Sequence, residues 1–185
     1  MAEKKSPPVP PSLIGERVFL RPTTVEDIAG CHHWKLQSEP QSHSAFPIRV
    51  KSVAEAVEDF KKSTPSENRE HFTVVRVSDK MPVGLVTYYD FNPLNRSAAL
   101  GLIIDPDERK SGYGGEAVKL LSRYLFAYRG LNKVYGQTDE GNKAAVKLLE
   151  GLGFKKDATL RDHYFHDGEF RAGLIYSLVR YELDW

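Results

Sequence analysis

Apolar and polar residues alternate from Glu16 to Arg21, with Val18 and Leu20 set against Arg17, Phe19 and Arg21, and this period of two predicts a first strand that Pro22 ends. Thr23 or Thr24 caps a following helix, with Glu26 and Asp27 in its first turn and Ile28, Cys31, Trp34 and Leu36 along its apolar side. Residues 37–51, with Pro40 and Pro47, carry no period and read as irregular. Ser52 and Glu55 make a capping box for a second helix, whose buried stripe is Val53, Ala56, Val57 and Phe60. A polar stretch from Lys61 to Arg69, with Pro65, leads to three strands, His71 to Val77, Val83 to Phe91 and Arg96 to Asp105. Their connecting turns, Asp79 to Pro82 and Asn92 to Asn95, are short, which predicts an antiparallel meander. A helical period from Ala117 to Tyr128 ends at Gly130 as C-cap. Then come a strand, Asn132 to Thr138, and a helix, Asn142 to Glu150, ended by Gly151. Two last strands, Phe154 to about Phe165 and Arg171 to Leu183, flank an Asp167-Gly168 hairpin turn. The order β-α-α-β-β-β-α-β-α-β-β predicts an α+β class with a mixed sheet: a largely antiparallel N-terminal part, a central β-α-β unit and helices on both faces.

Between the third meander strand and its helix lies the stretch with the clearest chemistry. The apolar run Leu100 to Ile104 stops at Asp105-Pro106, and Arg109-Lys110-Ser111-Gly112-Tyr113-Gly114-Gly115 follows before the helix. Glycines let a backbone approach a phosphate closely, and the free N–H groups at a helix start point toward it. A Rossmann reading fails because the loop comes late, after the meander, and a Walker loop fails because no Gly-Lys-Ser/Thr follows.

Composition narrows the classes. A length of 185 residues suits one domain, and 41% hydrophobic with 28% charged residues allows a packed core. The net charge of +1 gives no footprint for nucleic acid or an anionic membrane. Cys31 is the single cysteine, so an internal disulfide and a multi-cysteine metal site are excluded. Cys31-His32-His33 reads as core and surface of the first helix, and His163 and His166 fall on opposite strand faces, so no metal is expected. No apolar run approaches the roughly 18–20 residues of a membrane span. Lys4 and Lys5 precede no apolar core, so the start does not read as a signal peptide. Pro7, Pro8, Pro10 and Pro11 mark residues 1–12 as a flexible Pro-rich tail, ahead of a single domain over 13–185. A cytoplasmic location is the expectation.

These residues resemble the GNAT superfamily of N-acetyltransferases, in its RimJ/RimL-like branch. The family's Arg/Gln-x-x-Gly-x-Gly/Ala loop matches Arg109 to Gly114, its helix-opening asparagine matches Asn142, and its Gly-Phe matches Gly153-Phe154. Arg17 to Thr23 with Glu26-Asp27, and the closing Asp-Gly hairpin, are similar to that branch, and the likeness runs over about residues 13–183. It implies a GNAT-like fold that moves an acetyl group from acetyl-CoA, the co-substrate, to an amine. It further implies that the amides of Lys110, Ser111, Gly112, Tyr113, Gly114 and Gly115 hold the pyrophosphate, with Arg109 shaping the loop. The backbone of Leu102, Ile103 and Ile104 would pair with the pantetheine arm, which Asn142 faces, and the thioester would lie between strands 96–105 and 132–138. Two positions depart from the pattern. Leu149 stands where many members carry a tyrosine acid, and Ala99 where many relatives carry a glutamate.

Acyl transfer to an amine needs a neutral nucleophile, an oxyanion donor and a leaving-group proton, and a thiolate leaving group of pKa about 8.5 needs little acid assistance, so a missing acid is tolerable. A lysine-type amine is neutral about once in 10³ at pH 7 and an α-amine about once in ten, so a chain without an evident base suits an α-amine. The expected reaction is direct transfer to a primary amine, the acceptor being a protein N-terminal α-amine of ribosomal-protein type. The alternatives are a small polyamine or drug-like amine, or a non-catalytic acyl-CoA-binding module. The catalytic group is unassigned. Tyr88, Asp90, Asp139 and Tyr164 are the leading candidates, with His71, Glu140 and His163 behind them. The expected assembly is a monomer or homodimer, without nucleic acid or membrane partners.

Overall fold

The computed structural model describes residues 10–37, 50–63, 66–166 and 168–183. Among them the chain forms β1 (Val18–Pro22), α1 (Val25–Leu36), α2 (Val53–Ser63), β2 (Glu70–Arg76), β3 (Pro82–Asn92), β4 (Ser97–Ile104), α3 (Tyr113–Ala127), β5 (Lys133–Asp139), α4 (Lys143–Gly151), β6 (Lys155–His166) and β7 (Glu169–Val179). The element order is the one the periodicities predict. The strands make one sheet in the order β1-β2-β3-β4-β5-β7-β6, antiparallel except for the pair β4–β5.

Alternate residues of β2 fix which helix covers which face. The Phe72 ring packs edge-on against Tyr124 of α3, while the neighbouring Thr73 hydroxyl donates to Asp27 of α1 at 2.9 Å. So α3 and α1 lie on opposite faces of the sheet. Helix α4 joins α3: Leu149 and Leu152 belong to the same apolar cluster as Val18, Leu20, Phe72, Val74, Val86, Leu121 and Leu125. Both faces of β2 are covered, and Phe72, Thr73, Val74 and Val75 are all buried.

Three local readings change. Helix α3 starts at Tyr113, before Ala117, because Gly112 adopts the left-handed conformation (φ 81°) and ends the loop there. The capping box of α2 forms through Ser52 and Glu55, yet its stripe is not core: Val53 is exposed and Ala56, Val57 and Phe60 are half-buried. Pro10 to Ser12, read as tail, lead into a 3-10 turn, Pro11–Leu13, whose Leu13 is buried in the α3 cluster. Residues 1–9, the 38–49 stretch with Pro40 and Pro47, Pro65 and the Asp167 turn position lie outside the described residues.

Candidate active site

The glycine loop is built from its flanks inward. Asp105 Oδ1 accepts from the Asp107 N–H at 3.1 Å, opening a 3-10 turn over Pro106–Glu108. Arg76 at the end of β2 grips both oxygens of Glu108 at 2.8 Å and also holds Asp79, tying the loop's entry to the β2–β3 turn. Arg109 is extended (φ −66°, ψ 160°) and Lys110 is left-handed at φ 65°. From β1's approach, the Arg17 guanidinium donates to the Ser111 carbonyl at 3.1 Å, and the Arg17 N–H donates to Glu116 in the first turn of α3 at 3.0 Å.

Each glycine has its own reason. At Gly112 the positive φ excludes most side chains, and a Cβ would sit 2.7 Å from Arg17 Nη1. Gly112 is the N-cap and carries no capping side chain, so the N–H groups of Tyr113, Gly114 and Gly115 open toward the loop. A Cβ on Gly114 would lie 3.0 Å from Leu102 Cδ2 and 3.3 Å from Ile104 Cγ1, so α3 begins close against β4. Gly115 meets Leu148 at an ordinary 3.7 Å, and neither space nor backbone requires a glycine there.

Next to this loop the sheet opens. β4 and β5 pair only at Ser97↔Lys133, Ala98↔Val134 and Ala99↔Tyr135. Beyond them β4 continues to Ile104 on β3, and β5 continues to Asp139 on β7, so the two strands diverge. The result is a wedge with backbone on both sides and the helix start at its open end, a fit for a long acyl carrier ending in phosphates. Leu149 of α4 lies against Gly136 on the β5 arm, where a Cβ would be 3.6 Å from its methyl carbons. Asn142 caps α4, its Oδ1 accepting from the Ala145 N–H at 3.1 Å.

The sheet registers align Tyr89, Ala99 and Tyr135 side by side at the apex of the wedge, on the α1 face. Burial pushes Tyr89 up to about 12, with the negative charge of Asp90 adding to it. Burial and Asp90 likewise raise Tyr135. Asp90 itself is exposed and left-handed (φ 50°), at the register shift of β3 on β4. Asp139 is fully buried at the end of β5, its Oδ1 accepting from the Gly141 N–H at 2.6 Å. Burial and the Asp139 charge raise Tyr164.

Tyr88 is not in this group. It faces the α3 side, and its hydroxyl donates to Glu70 of β2 at 2.9 Å, away from the wedge. Adjacent residues on a strand point to opposite faces, so the tyrosine at the apex is Tyr89. Glu140 is spent on the Ala172 N–H at 2.9 Å, and His71 packs on Phe60. Exposed His163 lies against the Tyr164 ring. Sequence reasoning missed Arg17 and Tyr135. The contact of Arg17 with the loop spans 94 positions, and Tyr135 meets Ala99 through a parallel register that no turn dictates. Among the described residues no cluster of His, Cys, Asp or Glu is placed to hold a metal, and no helix is long and apolar enough to cross a membrane. Cys31 is buried and its thiol is pushed up to about 12, chiefly by that burial, which makes it an unreactive core group.

Known proteins share this fold. The spermidine N(1)-acetyltransferase of Escherichia coli K12 is 25% identical over 165 residues, 89% of this chain and 87% of that one. The crystal structure of spermidine N-acetyltransferase from Vibrio cholerae in complex with CoA and spermine superposes with a TM-score of 0.83 at 23% identity, over 90% of this chain and 97% of that one. A dodecameric structure of the Vibrio cholerae enzyme gives a TM-score of 0.77 at 24% identity, over 89% and 94% of the two chains. At that identity these two likenesses are of fold. The model of the acetyltransferase (GNAT) domain matches residues 17–155, from the arginine that braces the loop to the first residue of β6. This chain therefore belongs to the GNAT acetyltransferases, acyltransferases whose co-substrate is acetyl-CoA.

Proposed function

We propose that the acceptor is a primary amine of a small polyamine of the spermidine class, acetylated by direct transfer within a single domain over residues 13–185. The observation that carries this reading is the relationship to a spermidine N(1)-acetyltransferase across 89% of the chain. The acceptor face supports it. The carboxylate of Asp90 lies close enough to Tyr89 and Tyr135, and that of Asp139 to Tyr164, to act on them, and these negative groups favour an ammonium there. In this reading the amides of Lys110 to Gly115 receive the pyrophosphate of acetyl-CoA, and Arg109 shapes the loop. The backbone of Leu102 to Ile104 pairs with the pantetheine arm. The amide nitrogen of Asn142 faces that arm while its oxygen caps α4.

Thiol release from acetyl-CoA, measured with spermidine, spermine, a peptide bearing a free N-terminus and Nα-blocked lysine, tests the assignment. Spermidine or spermine is expected to give the highest kcat/KM, and a preference for the peptide α-amine overturns the reading. The pH dependence separates the two as well. With a nucleophile of lysine-like pKa, about 10.4, the rate climbs about tenfold per pH unit from 7 to 9; with an α-amine it levels near 8.

A further inference from the structure

Tyr164 is 8% exposed, and its hydroxyl oxygen is enclosed without a hydrogen-bond partner. Buried phenols normally find one, and leaving the bond unmade costs stability. The fold also takes trouble to seat this ring. β6 shifts register against β7 between Leu160 and Tyr164, with Asp162 held left-handed at φ 49°. The ring then lies over Gly173, where a Cβ would be 3.1 Å from Tyr164 Cε2. His163 meets it edge-on at 4.7 Å and His166 stacks on it at 5.8 Å. Gly173 pairs with Asp139, the last residue of β5, so the ring stands at the β5 arm of the wedge. Bulges that re-aim a side chain cluster beside active sites. On the other face of the same arm Leu149 offers no donor, its side chain being hydrocarbon packed on Gly136 of β5.

We propose that Tyr164 is the general acid of the transfer, delivering its hydroxyl proton to the coenzyme A sulfur as the carbon–sulfur bond breaks. The amine nitrogen adds to the thioester carbonyl carbon and gives up a proton to water. The carbon–sulfur bond then cleaves with its electron pair left on sulfur. The Tyr164 proton joins that pair, the free thiol departs, and the tyrosinate recovers a proton from water. The titratable groups facing Tyr164 are Asp139 on β5, Tyr89 on β3, and His163 and His166 on β6 itself. Burial and the charge of Asp139 keep the phenol protonated through neutral pH, so the donor is always loaded. The proposal rests on acetyl transfer and not on which amine receives it.

Tyr164→Phe tests it, because it keeps the ring and removes only a hydroxyl that bonds to nothing in the fold. The expected result is a Tm unchanged or raised, a KM for acetyl-CoA within about twofold, and a kcat lowered about 10²-fold or more on both the spermidine and the peptide arms of the assay. A kcat within about threefold of the parent overturns the proposal, and so does a variant that unfolds or loses acetyl-CoA affinity in step with rate. A second measurement needs no acceptor. The thiolate absorbance of CoA bound to the protein is titrated with pH; the Phe variant is expected to ionise the thiol at higher pH than the parent, and coincident titrations overturn the contact.

Discussion

Asp27 shows how one residue joins a helix to the sheet. Its carboxylate accepts from Arg21 Nη1 and Nη2 at 2.5 and 2.7 Å, from the Thr24 N–H at 2.9 Å and from the Thr73 hydroxyl at 2.9 Å. Burial alone would raise its pKa, but the hydrogen bonds from Arg21, Thr24 and Thr73 outweigh that and hold it below the usual carboxylate range. A depressed carboxylate stabilises the fold above its unfolded pKa of about 3.9, and that contribution is lost as pH falls through the lower folded value. Denaturant titrations should therefore show Asp27→Asn less stable at pH 7 by about 3–5 kcal/mol, with a flatter pH dependence than the parent below about pH 4. The cap itself was legible, since Thr24 and Asp27 fit the first-turn pattern; the partners Arg21 and Thr73 were not, because Thr73 arrives from 46 positions away. Asn142 makes a matching case. The family resemblance makes it a cofactor contact and the structure makes it the cap of α4, so Asn142→Ala should cost about 1 kcal/mol of stability besides weakening acetyl-CoA binding, as thermal melts and calorimetry would measure.

At the scale of elements, the strand–loop–helix passage from β4 to α3 separates glycines by task. Gly112→Trp should lose acetyl-CoA binding in calorimetry, since any side chain there must hold φ 81° and meets the Arg17 guanidinium that braces the loop. Gly115→Ala should keep binding and gain roughly 0.5–1 kcal/mol, because it sits inside the first turn with room for a methyl group. The sequence pattern located the loop but gave its three glycines one shared role. Their separate duties depend on Arg17 and Leu102, which neighbour them only in space. The outer strands teach a similar lesson. The hairpin was legible from Asp167-Gly168, but which of its arms meets β5 was not stated by any turn. Composition explains the outcome afterwards: β7 carries Leu174, Ile175, Tyr176 and Leu178 into the sheet, while β6 carries Lys155, Lys156, Arg161 and Asp162 to the edge, where charges and register shifts discourage pairing with other chains.

For the molecule as a whole, the periodicities sufficed for element order and for the antiparallel-then-β-α-β layout, because meander turns are short and locally coded. They did not reach the wedge, which arises from where two strands stop pairing. Its thermodynamic signature is global. Acetyl-CoA at about 100 times its Kd should add about 2.7 kcal/mol and raise Tm by roughly 5–10 °C in a thermal-shift titration. The divergence of β4 and β5 has one more consequence, for solvent exchange and association. A seven-stranded sheet ordinarily has two edges, here β1 and β6, but past Ala99 and Tyr135 the inner flanks of β4 and β5 act as two further edges in the middle of the sheet. Amide protons on those flanks should exchange with deuterated water as quickly as those of a border strand and slow sharply once an acyl carrier lies between them. Without it, the core of the sheet presents the same unpaired backbone that lets border strands recruit foreign ones.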